Sequence, residues 1–497
     1  MNDFWFKPHQ YGPETGDRAL STALLRAGDP LFIVDANGVP GVCREGIVLG
    51  ARHGDPGPDH FRLLTMIMPL PPENLGSEVF KDRHGIRYAC VAGAMANGIS
   101  SVELVKAAGR AGMIGFFGSA GLMRNELEAA LIRLNAEAPD IPWGVNLIHA
   151  PGSLEREAMM VDHYLAHQVR CISAAGYLRL PWPLVLFRLR CIHRRSDGTI
   201  ICPNRVIGKV SRLEVARQFL SPPPEKIVTR LRETGKITET EADLACFVSM
   251  ADDVTVEADS GGHTDNRPAV VLLSSMLALR DECTARFSYA AVPCIGLAGG
   301  MGTPFALAAA FVMGADYVLI GSVNQACVEA GTSAAVKQLL AQAGQTDTAM
   351  APAADMFERG VKVQVLKSGT LFAQRAARLY ELYRRYDALE QIPQDIRAEL
   401  EAKIFRQTLD VAWDRTRDFF SDYDPAQIER AETDPKHKMA LVFRSYLGRS
   451  SRWAIVGDPR RAKDFQIWCG PAMGAFNQWT AGSFLADPAN RTFETVA

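Results

Sequence analysis

From about residue 80 to residue 340, short apolar segments rich in β-branched residues alternate with alanine-rich segments of helical period. Tyr88–Val91 precedes the helical stretch Val102–Ala108, Met113–Phe117 precedes Asn125–Leu131, and Trp143–Leu147 precedes a helix around Glu155–His167. Val169–Ser173 and Arg205–Val210 read as a fourth and fifth strand; Asp253–Glu257, Val292–Gly296 and Tyr317–Gly321 complete eight. Strands this short, each followed by a helix, predict a parallel sheet with crossover helices. Eight repeats in about 240 residues match the usual size of a closed (β/α)₈ TIM barrel. An open doubly wound sheet is the alternative.

The pattern changes on either side. Residues 1–80 form an N-terminal region with one apolar stretch, Leu31–Val34, amid Gly- and Pro-rich sequence. Residues 81–340 are the predicted barrel. Within it, about 211–250 reads as a charged helical insertion containing Pro222-Pro223-Pro224. Residues 341–497 read as a mainly helical C-terminal region, clearest at Leu379–Tyr386 and Ile392–Ile404. A chain of 497 residues is too long for one ordinary core.

Composition narrows the classes. With 47% hydrophobic and 22% charged residues and a formal net charge of −2, the chain is globular, with no global signal for nucleic acid or membrane. No apolar run approaches the roughly 20 residues of a membrane span. The opening sequence lacks the basic and apolar regions of a signal peptide, so a cytoplasmic protein is expected. The ten cysteines show no CxxC pairing and are expected to be free and mostly buried, and no metal site is expected.

In a barrel, chemistry gathers where strands end. Three glycine-rich segments follow predicted strands: Ala92–Gly98, Asp259–Asp265 and Gly296–Thr303. The turn Gly299-Gly300-Met301-Gly302 is the phosphate candidate. Its glycines let backbone N–H groups converge, and a helix begins at Pro304 behind it. Gly321 and Ser322 after the eighth strand supply a second such turn, in the place where barrels commonly bind phosphate. There is no GxxxxGK[ST] or GxGxxG, so a mononucleotide such as FMN fits better than a dinucleotide domain.

His263 follows the sixth strand between glycines and Thr264-Asp265, where it is expected to face the cavity as a general acid or base, with Asp265 a candidate to orient it. His163 and His167 are read as a solvated helix face. The basic run Arg190–Arg195 is read as an exposed hairpin flank.

The segments AGAMANG, EADSGGHTDNRP, GLAGGMGTP and GADYVLIGSVNQ together resemble the nitronate monooxygenase-like FMN barrels. With APAADMFERGVKVQVLKSGTLF, RAARLYELYRRYD and IWCGPAMGAFNQW, the chain is most similar to the PfaD-type enoyl reductases of trans-acyltransferase polyketide synthases and polyunsaturated fatty acid synthases. The resemblance implies a TIM barrel with FMN at its C-terminal face. The implied activity is NADPH-driven reduction of an enoyl thioester on an acyl carrier protein, in company with synthase modules.

By match to these motifs, Gly299, Gly300, Gly321 and Ser322 would hold the FMN phosphate. Ala92, Gly93, Met95 and Asn146 would lie near the flavin ring, and Gly261 and Gly262 near the ribityl chain. His263 is the first candidate to protonate the product and Lys209, at the end of the fifth strand, the second. A nitronate monooxygenase-like oxidase acting on a small molecule is the alternative. The helical C-terminal region is also a candidate face for a second copy of the chain. One departure is Ser368 and Ala373-Gln374, where the family pattern leads one to expect a basic residue and a proline.

Overall fold

The computed structural model describes residues 4–26, 28–50, 57–149 and 154–497. The chain divides into two units, Met1–Glu78 and Val79–Ala497. In the first, a six-stranded sheet runs in the order Glu14–Thr15, Val39–Cys43, Leu31–Ala36, Phe61–Ile67, Trp5–Pro8, Gly46–Leu49. Its core is small, centred on Phe6, Val34 and Cys43, with Phe6 stacked on Phe32. Only Leu31–Val34 stood out in the sequence. The other strands are short or largely exposed, so they lack the apolar runs that announce a buried strand.

The second unit is built on a closed barrel of eight parallel strands, all eight being those the alternation predicts. They are β1 (Cys90–Ala92), β2 (Ile114–Phe117), β3 (Trp143–Ile148), β4 (Cys171–Ala175), β5 (Arg205–Val210), β6 (Asp253–Glu257), β7 (Cys294–Ala298) and β8 (Tyr317–Ile320). The ring closes where β8 pairs β1, with Val318 opposite Cys90. Because side chains alternate along a strand, every second residue points into the barrel. On β6 this puts Asp253 at the floor, Thr255 at mid-height and Glu257 at the mouth. Thr255 and Tyr317 hydroxyls bond across the interior at 2.7 Å, and the Tyr317 ring stacks on Phe80 with centroids 4.0 Å apart. Gly296 makes room for that ring: a Cβ there would sit 2.2 Å from Tyr317.

The floor is polar. The helix Glu78–His84 carries Phe80, Arg83 and His84 under the barrel. Asp253, fully buried, pairs with the Arg83 guanidinium and accepts from His84 Nε2 at 2.7 Å. Burial alone would raise its pKa, but the charge of Arg83 and the hydrogen bond from His84 outweigh this and hold the carboxyl below its ordinary range.

Between β5 and β6, residues 211–250 form helices Leu213–Leu220, Glu225–Glu233 and Glu239–Leu244. After β8 the chain is helical but for one antiparallel pair, Thr348–Pro352 with Lys362–Leu366. Four longer helices follow: Phe372–Arg385, Leu409–Tyr423, Pro425–Thr433 and Pro435–Val456. They enclose a second core that includes Phe357, Phe372, Leu379, Met439 and Phe443. No helix among the described residues is long and apolar enough to cross a membrane.

Replacing Asp253 by Asn leaves Arg83 and His84 facing an uncharged amide in the floor, at a cost of about 3–5 kcal/mol. The depressed pKa means the carboxylate's contribution is complete above the unfolded-state value and is lost as pH falls through the folded one. Urea midpoints of wild type and Asp253→Asn should therefore lie far apart near neutral pH and converge in acid. Parallel curves at all pH values would contradict this.

Candidate active site

A cavity of about 1910 Å³ opens at the C-terminal ends of the barrel strands, walled on its far side by the helices after residue 400. Gly93, Met95, Asn146, Lys209, Gly261, Gly262, His263, Gly299, Gly300, Gly321 and Ser322 all line it. Ala92 is buried at the end of β1, directly before Gly93. The volume exceeds the roughly 300–1,000 Å³ of an ordinary small-molecule pocket, leaving room for more than one ligand.

The glycine turns are crowded against backbone. Gly299 has φ +93°, and a Cβ there would sit 2.7 Å from the carbonyl oxygen of Asp259. A Cβ on Gly302 would come within 2.3 Å of Ala472 O, and one on Gly261 within 2.9 Å of Gly470 N. The turns after β6 and β7 thus meet residues 469–472, and Gly470 N–H donates to Ser322 Oγ at 3.0 Å. By contrast, a Cβ on Gly300 would meet nothing within 4 Å, so that glycine faces open space. A glycine turn held by close backbone packing on one side and open to the cavity on the other can present its N–H groups to a phosphate-bearing ligand. The contribution of Cys469–Ala472 was not foreseen; its signal was the pair of glycines in CGPAMG.

Asn146 is fixed from behind. Its Oδ1 accepts from Ser119 N at 2.8 Å and from Ser119 Oγ at 2.9 Å, while Tyr164 OH donates to its carbonyl at 2.9 Å. With Oδ1 committed, the amide NH₂ is the group left to act in the cavity.

His263 sits on a two-residue strand, Gly262–His263, that adds to Lys362–Leu366, with His263 opposite Val363. Gln364 secures this turn by donating to Asp259 Oδ1 and Ser260 O, both at 2.8 Å. The imidazole is 44% exposed, and its Nε2 lies 3.1 Å from Asp355 Oδ1. Burial works against the cation, but the hydrogen bond and charge of Asp355 prevail and raise the pKa above its ordinary value. Asp265, the neighbour expected to orient the ring, turns away instead. It accepts from Ser211 Oγ at 2.7 Å and Arg212 Nε at 3.1 Å. Asp355, 92 positions distant, takes its place.

Alternation also turns Lys209 inward at the mouth of β5, beside Glu257 of β6. Its ammonium donates to Glu257 Oε1 at 2.6 Å, and Ser260 Oγ donates to the same oxygen at 3.1 Å.

Other sequence candidates lie elsewhere. His163 and His167 are half-buried rather than solvated, with rings edge to face at 4.5 Å. Among the described residues no three His, Cys, Asp or Glu groups converge as a metal site. His193–Arg194 forms a small hairpin with Ile200–Ile201 and is exposed, as expected of the basic run. All ten cysteines are free and seven are buried.

A family model described as nitronate monooxygenase matches residues 77–403. A second, described as [acyl-carrier-protein] S-malonyltransferase, inserted helical domain, matches residues 386–465. Polyketide biosynthesis protein PksE of Bacillus subtilis is 46% identical over 428 residues, 86% of this chain and 55% of PksE. A polyunsaturated fatty acid synthase subunit of Thraustochytrium sp. is 43% identical over 85% of this chain and 28% of its own length. The chain therefore spans about half of PksE and less of the synthase subunit. Among solved structures, the enoyl reductase domain of MlnA from the macrolactin cluster of Bacillus amyloliquefaciens superposes with a TM-score of 0.82 at 40% identity, covering 86% of this chain and 96% of that one.

Two outcomes follow from the geometry. Gly302→Ala should push residues 469–472 off the barrel at about 1–3 kcal/mol. Cys469, now fully buried, should then alkylate faster in peptide-resolved mass spectrometry; unchanged labelling would contradict the close approach. Asp355→Asn should lower the His263 pKa, read from its ring-proton NMR titration. In the wild type, the raised His263 pKa means the stabilising contact is full below the unfolded histidine value and lost as pH rises through the folded one.

Proposed function

This chain belongs to the nitronate monooxygenase family and, within it, to the PfaD-type enoyl reductases of polyketide and polyunsaturated fatty acid synthases, and from that premise we propose that it is a trans-acting enoyl reductase. Its substrate is a 2-enoyl thioester carried on an acyl carrier protein, its reductant NADPH and its cofactor FMN. The observation that carries the reading is one cavity, at the strand ends, where the glycine turns and the His263–Asp355 pair meet.

Gly299, Gly300, Gly321 and Ser322 would hold the FMN phosphate through backbone N–H groups, with Gly261 and Gly262 beside the ribityl chain. Gly93, which lines the cavity and whose missing side chain lets it pack against Leu319 of β8 (a Cβ there would lie 2.5 Å away), would lie near the ring. Ala92, Met95 and the Asn146 amide would complete the ring's surroundings. FMN held by these residues would supply the redox chemistry, hydride transfer between NADPH and the β-carbon of the enoyl thioester.

The chain's own part is binding, orientation and the proton. Negative charge moves onto the thioester oxygen as the β-carbon is reduced, so a donor aimed at that oxygen lowers the barrier. His263 then gives the α-carbon its proton. The raised pKa suits this, since a larger fraction of the imidazole is cationic near neutral pH. Asp355 holds the ring in orientation and stabilises that cation. Lys209 is the second candidate for the donor, and its contact with Glu257 ties it to the mouth of β6.

An anaerobic stopped-flow record of the purified protein tests the proposal. NADPH should bleach the flavin band, and a crotonyl-loaded carrier protein should restore it. His263→Ala should keep the flavin and lose about 10²–10⁴-fold in turnover. Restoration by oxygen alone would favour the oxidase reading, and absence of any flavin band would overturn the assignment.

A further inference from the structure

The wall of the cavity opposite the barrel is cationic, and its charges are unevenly satisfied. Six arginines and lysines after residue 400 line it. Four have carboxylates: Arg430 with Asp434 at 3.3 Å, Lys436 with Asp387 at 3.2 Å, Arg444 with Glu358 at 3.1 Å and Arg452 with Glu126 at 3.3 Å. The remaining two, Arg415 and Arg449, have no carboxylate within salt-bridge distance among the described residues.

Arg415 projects from the helix Leu409–Tyr423, where Nη1 donates to Gln407 Oε1 at 2.7 Å. Arg449 projects from the adjoining helix Pro435–Val456, its guanidinium 5.4 Å from the centre of the Trp453 ring. The two helices pack against each other and both guanidiniums line the same cavity; burial, then the like charges of Arg415 and Arg461, lower the Arg449 pKa. Two guanidinium groups facing one cavity from adjoining helices, neither with a carboxylate partner among the described residues, are an unfavourable arrangement in the free protein. A dianion between them relieves it, and the planar fork of arginine matches phosphate oxygens in pairs. Phe419, one helical turn beyond Arg415, lines the same wall and gives the ligand an apolar neighbour.

We propose that Arg415 and Arg449 form a second anion site on the helical wall of the cavity, which takes a phosphate ester of an incoming substrate. The site is separate from the glycine turns, being built on the helices that cover the barrel mouth. The inference deepens the reductase reading and rests on it for the two phosphate esters that enter this cavity: the 4′-phosphate of a pantetheine thioester arm and the 2′-phosphate of NADPH. The cavity's volume accommodates a ligand here beside one at the glycine turns.

The test is calorimetric titration of the flavin-loaded protein and of the double variant Arg415→Gln/Arg449→Gln with two matched pairs of probes. One pair is crotonyl-4′-phosphopantetheine and crotonyl-pantetheine; the other is NADP⁺ and NAD⁺. Arg417→Gln, outside the cavity on the same helix, is the control, and melting temperatures confirm folding. Loss of two charge-assisted contacts should weaken the phosphorylated member of one pair by about 10- to 100-fold and leave its unphosphorylated partner unchanged.

Selective loss for phosphopantetheine assigns the site to the thioester arm, and selective loss for NADP⁺ assigns it to the cofactor's 2′-phosphate. Equal weakening within both pairs, or none, overturns the proposal. Failure of the reductase reading shows separately, as absence of enoyl reduction by the wild type.

Discussion

Backbone lies against backbone at the mouth of the barrel, and the site depends on that contact. Gly302 approaches Ala472 and Gly261 approaches Gly470 so closely that a methyl group on either glycine would overlap main-chain atoms. The hydrogen bond from Gly470 to Ser322 adds a third tie. Through these contacts the C-terminal segment joins the turns after β6, β7 and β8 into one rim. It also connects the helical region to the barrel, and so gives the cavity its second wall. Van der Waals repulsion leaves little tolerance here, so glycine in these positions is a steric requirement of the cavity rather than a source of flexibility.

Stability and chemistry occupy opposite ends of the same strands. Alternation on β6 sends Asp253 into the buried ionic floor and Glu257 to the mouth, where it meets Lys209. Between them the Thr255–Tyr317 contact fills the interior. The floor carboxylate is fully enclosed between the Arg83 guanidinium and the His84 ring, whereas His263 is half exposed and has one carboxylate. An enclosed network fixes the barrel. A partly open pair stays accessible to a ligand in the cavity, as the role proposed for His263 requires.

The barrel was legible because short, mostly buried segments rich in β-branched and apolar residues alternate regularly with helical segments. The glycine turns were legible for a related reason: their positions at strand ends follow once the strands are known. Other features rest on contacts that sequence proximity does not report. Asp355 reaches His263 from a separate hairpin, while adjacent Asp265 is drawn off by Ser211 and Arg212. The alternation in Val361-Lys362-Val363-Gln364-Val365-Leu366 is that of a strand, yet it is short and surrounded by helices, and so merged into a region read as helical. The N-terminal sheet was hidden by strands with exposed faces. Residues 469–474 carried only two glycines, Gly470 and Gly474, as a sign that they approach other backbone.

The reading of this cavity as the place where an enoyl thioester is reduced stands or falls on the product. Its most direct test is mass spectrometry of the thioester after anaerobic turnover with NADPH, alongside measurement of NADPH consumed. Crotonyl-carrier protein should become butyryl-carrier protein in an amount equal to the NADPH oxidised, with no oxygen present. An unchanged crotonyl thioester, with NADPH oxidation occurring only when oxygen is admitted, would contradict it.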